Sequence, residues 1–236
     1  MKIDVPEQLV EVVKAGVKAN REVPGSIALG GTICALFAHH RESTDIDFVL
    51  SDLTKRFEEV REKLLGVPEW KEARVNVPVL ILGSLGDIEI GYRQLRRTVP
   101  METEVLETPY GPLVVPTLEE LIRTKAFLTY NRNYTRDYFD FAELSCLVET
   151  SKVVDILASI DDKFQWEKQE PIVIEILKKL LAPNPHDLND PRHGFEQLRF
   201  LEPRLKSWKQ VVARCGEIGE ELSVRLFGNE APQSKR

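Results

Sequence analysis

Two aspartates, Asp45 and Asp47, stand one residue apart in the run STDIDFVL, shortly after the double glycine of IALGGTICAL. On a strand, residues i and i+2 point to the same side, about 6–7 Å apart. Two carboxylates held that close favour a cation between them, and hard oxygen donors suit Mg²⁺ or Mn²⁺. Mg²⁺ is usually held by one or two carboxylates together with substrate phosphates, so the pair also asks for a phosphorylated substrate. The Gly30-Gly31 turn meets that demand, because its N–H groups can approach phosphate oxygens with no Cβ in the way. Thr32 follows at an expected helix start, where its hydroxyl and the helix dipole both favour an anion. The third glycine of a dinucleotide fingerprint is absent, and no Gly-Lys-Ser/Thr follows to make a Walker A loop. Taken singly, a Gly-Gly pair is more often a turn and an Asp-x-Asp a solvated strand face. Their order, with Arg41 between them, is what carries the chemistry.

These residues need elements to hold them. Residues 6–21 read as a helix from Pro6, with Leu9, Val12, Val13 and Val17 at helical spacing. A short strand then ends at Gly30-Gly31, residues 32–39 form a short helix closing at His39-His40, and STDIDFVL alternates as a strand. TKRFEEVREKLLG is an amphipathic helix, ARVNVPVLILGSLGDIEIGYR a strand, turn and strand, and TEVLETPYGPLVV a hairpin turning at Tyr110-Gly111. PTLEELIRTKAF opens a helix with Thr117 as N-cap and Glu120 as its capping-box partner. TRDYFDFAELSCLVET is a second helix, and beyond about residue 150 the pattern is helical apart from the loop APNPHDLNDPRHG. The expected fold class is therefore α+β: a mixed β-sheet flanked by helices over 1–116, a helical C-terminal domain over 117–228, and a flexible tail over 229–236.

Bulk properties narrow the function classes. The chain has 236 residues, 42% hydrophobic and 30% charged, enough for a real core and unlike a disordered protein. Its net charge of -6 excludes a protein that coats nucleic acid with its whole surface, so a nucleic-acid partner must meet a local basic patch. Cys34, Cys146 and Cys215 are widely separated, with no C-x-x-C, which argues against a disulfide framework and for a reducing cytoplasm. The N-terminus has no apolar signal region, and no stretch approaches the ~20 apolar residues that span a bilayer, so no membrane role is expected.

GGT…HRESTDIDF resembles the glycine-rich helix start and Arg-x-Ser/Thr-x-Asp-x-Asp-Phe motif of nucleotidyltransferases related to the AbiEii abortive-infection toxins, within the DNA-polymerase-beta-like superfamily. Further features of that family stand in order: Glu89 in DIEIGYR (Asp87 being the alternative), Lys125 in LVVPTLEELIRTKAF, and Arg136, Asp137 and Asp140 in RDYFDFAEL. The resemblance covers roughly residues 25–147. It implies transfer of a nucleoside monophosphate from a nucleoside triphosphate to a hydroxyl. Asp45, Asp47 and Glu89 would hold the metal, and Glu89 could also serve as the base. Gly30, Gly31, Thr32 and Arg41 would hold the triphosphate, with Lys125 neutralising its charge and Arg136 and Asp137 beside it. It also implies a cognate antitoxin, and an RNA end such as a tRNA 3′ terminus, or a protein hydroxyl, as acceptor. A small-molecule transferase of the aminoglycoside type, or an inactive nucleotide-binding relative, is the other reading.

Other groups are weaker. Arg136-Asp137 reads equally as a structural ion pair, and Asp140 lies where it could brace either residue. RTKAFLTYNRNYTR interleaves cations with Phe127, Tyr130 and Tyr134, a pattern that could track a single strand but is more often an amphipathic helix. His186, Asp187, Asp190 and His193 match no zinc spacing and read as a solvated loop.

Overall fold

A computed structural model describes residues 1–97, 99–164 and 170–228; the expected tail at 229–236 lies outside them. The chain divides into two compact units, Met1–Glu120 and Leu121–Arg236.

In the first unit a 3-10 turn, Glu7–Leu9, leads into helix α1, Val10–Glu22. Strand β1 (Ile27–Leu29), helix α2 (Gly31–Ala38) and strand β2 (Asp45–Leu50) follow, then helix α3 (Phe57–Leu65). Strands β3 (Trp70–Asn76), β4 (Leu80–Leu85) and β5 (Ile88–Gln94) complete a five-stranded sheet of order β1-β2-β5-β4-β3. Within that sheet the β2–β5 pair is parallel and the other three neighbouring pairs are antiparallel. Where a strand, a turn and a strand were expected over residues 73–93, the chain also turns at Val77-Pro78 and makes three strands. Strands β6 (Thr103–Thr108) and β7 (Gly111–Pro116) form the expected hairpin.

The sheet has unlike faces. Ile46, Phe48, Leu50, Ile81, Leu85, Ile90 and Tyr92 are buried and alternate with the residues of the other face. Helix α1 lies on β2 and β5, and helix α3 on β3. Tyr92 stacks on Phe48, with centroids 5.1 Å apart, and its hydroxyl donates to the Ala19 carbonyl at 3.0 Å. The apolar half of the alternation thus fixes which way Asp45 and Asp47 point.

Helix α4 (Leu118–Asn131) begins with half of the expected capping box: the Glu120 N–H donates to Thr117 Oγ1 at 3.3 Å. The other half is replaced. The Glu120 carboxylate takes two bonds from Arg97, at 2.7 and 3.1 Å, and both side chains are buried. The Thr117 N–H donates to the Glu102 carbonyl at 2.9 Å instead, and the charged guanidinium fork suits the buried carboxylate.

The second unit is helical: α5 (Thr135–Ser145), α6 (Thr150–Ala158), α7 (Ile160–Lys163), α8 (Ile172–Leu181) and α9 (Trp208–Phe227). Helix α5 is buried from Asp137 through Ser145. Residues 198–207, expected to be helical, are not. Pro203 cannot continue a helix, and α9 starts only at Trp208, where Ser207 Oγ accepts from the Gln210 N–H at 3.4 Å. Phe139, Phe195, Phe200 and Trp208 pack edge-on around that irregular stretch.

Glu143 on α5 is buried; it accepts from the Leu205 N–H at 2.7 Å and lies 3.9 Å from the Arg204 guanidinium. Burial pushes its carboxyl above the ordinary range. The fold therefore favours the protonated form. The stability this contributes is full below the ordinary carboxylate pKa and is lost as pH rises through the raised value. Glu143→Gln should melt above the wild type at pH 8 and alongside it at pH 4, as thermal melts at the two pH values would read. A variant equally shifted at both would show that the carboxyl does not titrate there.

Candidate active site

Strand register assembles the first unit's polar face in rows. Asp45 pairs with Glu89, which pairs with Ser84, which pairs with Lys71. Leu29 pairs with Asp47, then Gly91, Leu82 and Arg74 follow in line. Val49 pairs with Arg93, then Leu80 and Asn76. In-register neighbours share a face, so Asp45, Asp47 and Glu89 point the same way although 37 residues lie between β2 and β5. Glu89 sits on the strand beside Asp45, while Asp87 lies in the β4–β5 turn.

Gly91 and Arg93, which the sequence does not connect with Asp47, complete the surroundings of that carboxylate. A Cβ on Gly91 would overlap Asp47 Oδ1, so the bare backbone there is what leaves room for the carboxylate. Arg93 Nε donates to Asp47 Oδ1 at 3.3 Å, with both side chains partly exposed. Such a pair contributes about 0–1 kcal/mol and yields easily to another cation. Ser43 Oγ donates to Asp45 Oδ1 at 3.1 Å. Only the G-x-R period of β5 could have hinted at Gly91; nothing local reveals its partner. Gly91→Ala should reduce turnover at least about tenfold while costing about 1–3 kcal/mol of stability. A fully active Gly91→Ala enzyme would show that Asp47 has slack the geometry denies.

The glycine turn lies against the same carboxylate. Gly30 has φ 98° and ψ −163°, backbone that only glycine adopts readily, and a Cβ there would sit 4.0 Å from Asp47 Oδ2. It leads into the N-terminus of α2, so free N–H groups and carboxylates meet. Thr32 behaves differently from the expectation. It is fully buried, and its hydroxyl donates to the Asp45 carbonyl at 2.5 Å, tying α2 to β2 instead of presenting the hydroxyl to an anion. Arg41 is buried too; its Nη1 donates to the Glu42 carbonyl at 3.0 Å, and its guanidinium fills the space a Cβ on Gly31 would take.

The remaining expected site residues belong to the second unit. Lys125 on α4 is 4% exposed, and its Nζ reaches Asp137 Oδ1 at 3.1 Å and Asp140 Oδ2 at 2.6 Å on α5. Arg132 adds a fork to Asp137, with bonds of 3.1 and 2.8 Å. Asp137 is therefore paired with Lys125 and Arg132, not with Arg136. Arg136 is exposed, its guanidinium 5.8 Å from the Tyr134 ring centroid. His186 stacks obliquely on Tyr134, and Asp187 accepts from the N–H and hydroxyl of Thr135, so that loop caps α5. Among the described residues no three His, Cys, Asp or Glu side chains already close on a common metal position, and no helix is long and apolar enough to cross a membrane.

A mixed sheet carrying paired carboxylates beside a glycine turn, with a helical region after it, defines a nucleotidyltransferase. The chain belongs to the AbiEii nucleotidyl transferase toxin family of type IV toxin–antitoxin systems, whose family model matches residues 29–221. Its fold is similar to that of MenT4, a nucleotidyltransferase toxin from Mycobacterium tuberculosis H37Rv, with a TM-score of 0.56 and 15% identity over 91% of this chain and 82% of that one. Curated relatives align over shorter segments. The heme uptake protein MmpL11 of Mycobacterium tuberculosis H37Rv is 29% identical over 51% of this chain and 12% of its own length. The mycolic acid-containing lipids exporter MmpL11 of Mycolicibacterium smegmatis is 28% identical over 63% of this chain and 15% of its own. The chain thus spans under a sixth of either.

Proposed function

We propose that this enzyme transfers a nucleoside monophosphate from a nucleoside triphosphate to a hydroxyl on an RNA end, such as a tRNA 3′ terminus, in a divalent-metal-dependent reaction in the cytoplasm. A cognate antitoxin restrains it. The observation that supports this most is the shared face of Asp45, Asp47 and Glu89 beside the Gly30 turn.

The donor set fits Mg²⁺ or Mn²⁺: all oxygen, two carboxylates one residue apart, with Gly91 leaving space at Asp47 and Glu89 exposed alongside. Asp45 and Asp47 would hold the ion and the nucleotide's phosphates would complete its shell. A bound ion supplies neutralisation of the negative charge that builds at the α-phosphoryl group. The chain's own residues do the rest. N–H groups of the Gly30-Gly31 turn donate to the triphosphate and orient it. Arg41 and Thr32 keep that turn in place. Glu89 takes the proton of the acceptor hydroxyl as its oxygen bonds to the α-phosphorus and pyrophosphate departs. Lys125 and Asp137 contribute by locking α4 to α5, and Arg136 by an exposed charge.

Labelled triphosphates with Mg²⁺ or Mn²⁺ and total RNA test the reading: labelled RNA is expected. Label on the protein itself would shift the acceptor to a protein hydroxyl. Label on aminoglycosides and not on RNA would instead make this a small-molecule transferase. Growth arrest on expression, relieved by a co-expressed partner, is expected of the toxin.

A further inference from the structure

We infer that Lys71 and Arg74 on β3, with Arg93 on β5, form the track on which a single-stranded nucleic acid delivers its terminal hydroxyl to the carboxylates. The inference rests on the transfer reaction proposed above and names where its acceptor binds.

Strand β3 carries an irregularity between Glu72 and Arg74, where Ala73 has no partner on β4. Side chains normally alternate, so residues three apart would face opposite ways. The extra residue resets the alternation. Lys71 therefore opposes Ser84, Arg74 opposes Leu82, and both point to the face of Asp45, Asp47 and Glu89. Glu72 goes the other way, to a two-bond pair with Arg61 of α3. The irregularity thus turns both cations toward the site and the intervening acid away from it. Both are exposed, and among the described residues neither makes an ion pair. At one strand spacing per step, Lys71 lies about 10 Å from Glu89 and Arg74 about 14 Å from Asp47. In a chain of net charge -6, this is a local basic strip on an open sheet face.

Direction comes from the chemistry. In-line displacement puts the attacking hydroxyl and the departing pyrophosphate on opposite sides of the phosphorus. The Gly30 turn, which suits the triphosphate, lies on the β1 side of Asp47. The acceptor must then approach over β5, β4 and β3. That is the side on which Arg93, Arg74 and Lys71 stand, with Leu82 and Leu80 between them as half-exposed apolar floor. Cations spaced along an apolar floor match a strand of phosphates and bases. They repel a polycationic amino sugar.

Binding of a 5′-labelled single-stranded RNA oligonucleotide, read by fluorescence anisotropy across a salt series, tests this without requiring turnover. Lys71→Ala/Arg74→Ala should weaken binding about tenfold and reduce the log–log salt slope by about 1.4, or 0.7 for each lost phosphate contact. Lys55→Ala/Lys209→Ala, which removes the same charge elsewhere, should bind as the wild type does. Equal weakening in both double variants would overturn the track, as would unchanged binding by Lys71→Ala/Arg74→Ala. So would a raised KM for the nucleotide with RNA binding intact, because the strip would then serve the triphosphate. If RNA binds through Lys71 and Arg74 but no transfer occurs, the track stands and the transfer reading fails.

Discussion

Asp45→Asn/Asp47→Asn is expected to lose nucleotidyl transfer by at least about 100-fold while keeping its fold. Both side chains sit on the open face of β2, and the strand is held by Ile46, Phe48 and Leu50 on the other face. Amides are nearly isosteric with the carboxylates, so the packing loses nothing. What disappears is fixed negative charge at the point where a cation must gather the phosphates. Preorganised electrostatic contacts of this kind are worth about 10²–10³-fold each in other enzymes. The single change Asp47→Asn should carry most of the loss, because Asp47 is the carboxylate against which Gly30, Gly91 and Arg93 all converge. Transfer is measured with labelled triphosphate at saturating Mn²⁺, and circular dichroism checks the fold. Undiminished transfer by a well-folded double variant would end the two-carboxylate reading.

Lys125→Met is expected to lower the melting temperature by at least about 10 °C. The ammonium is buried between Asp137 and Asp140, both fully buried. Removing one partner from a buried charge cluster typically costs about 3–5 kcal/mol, because the remaining charges keep their desolvation penalty. For a domain of this size each kcal/mol moves the midpoint by several degrees. Asp137 retains the Arg132 fork, whereas Asp140 loses its 2.6 Å contact with the ammonium and stays as a buried carboxylate. Lys125→Met/Asp140→Leu should therefore melt above Lys125→Met alone. Thermal melts of the three proteins decide it: a single variant within about 2 °C of the wild type would show that the cluster does not brace α4 against α5. Activity of the double variant separates two roles. Recovery along with stability assigns Lys125 to packing, whereas persistent loss assigns it a contact with phosphate.

Much of the first unit was legible because its signals are local. A period of two marked β2, a glycine pair marked the start of α2, and Thr117 marked the start of α4; each depends on residues within a few positions of one another. Glu89 was legible as a strand acid, and its place on β5 separates it from Asp87 in the turn. Other features were hidden because their cause is distant. Glu120 looked like a capping-box acid, and Arg97, 23 positions earlier, claims it instead. Thr32 looked like an anion ligand, and Asp45, 13 positions later, takes its hydroxyl. The stretch before α9 read as helix because its apolar residues recur at helical spacing, yet they serve an aromatic cluster around Phe139.

By itself the sequence determined the chemistry available: two acids one residue apart, a turn that only glycine can make, and the family to which their order belongs. Those are matters of residue type and short spacing, where backbone geometry leaves few choices. Tertiary structure alone decided which distant groups share the face. The parallel pairing of β2 with β5 brings Glu89 beside Asp45 and makes Gly91 a necessity, and one unpaired residue in β3 turns Lys71 and Arg74 toward the acids. Register between strands is set by the packing of the opposite, apolar face, and no local pattern records it.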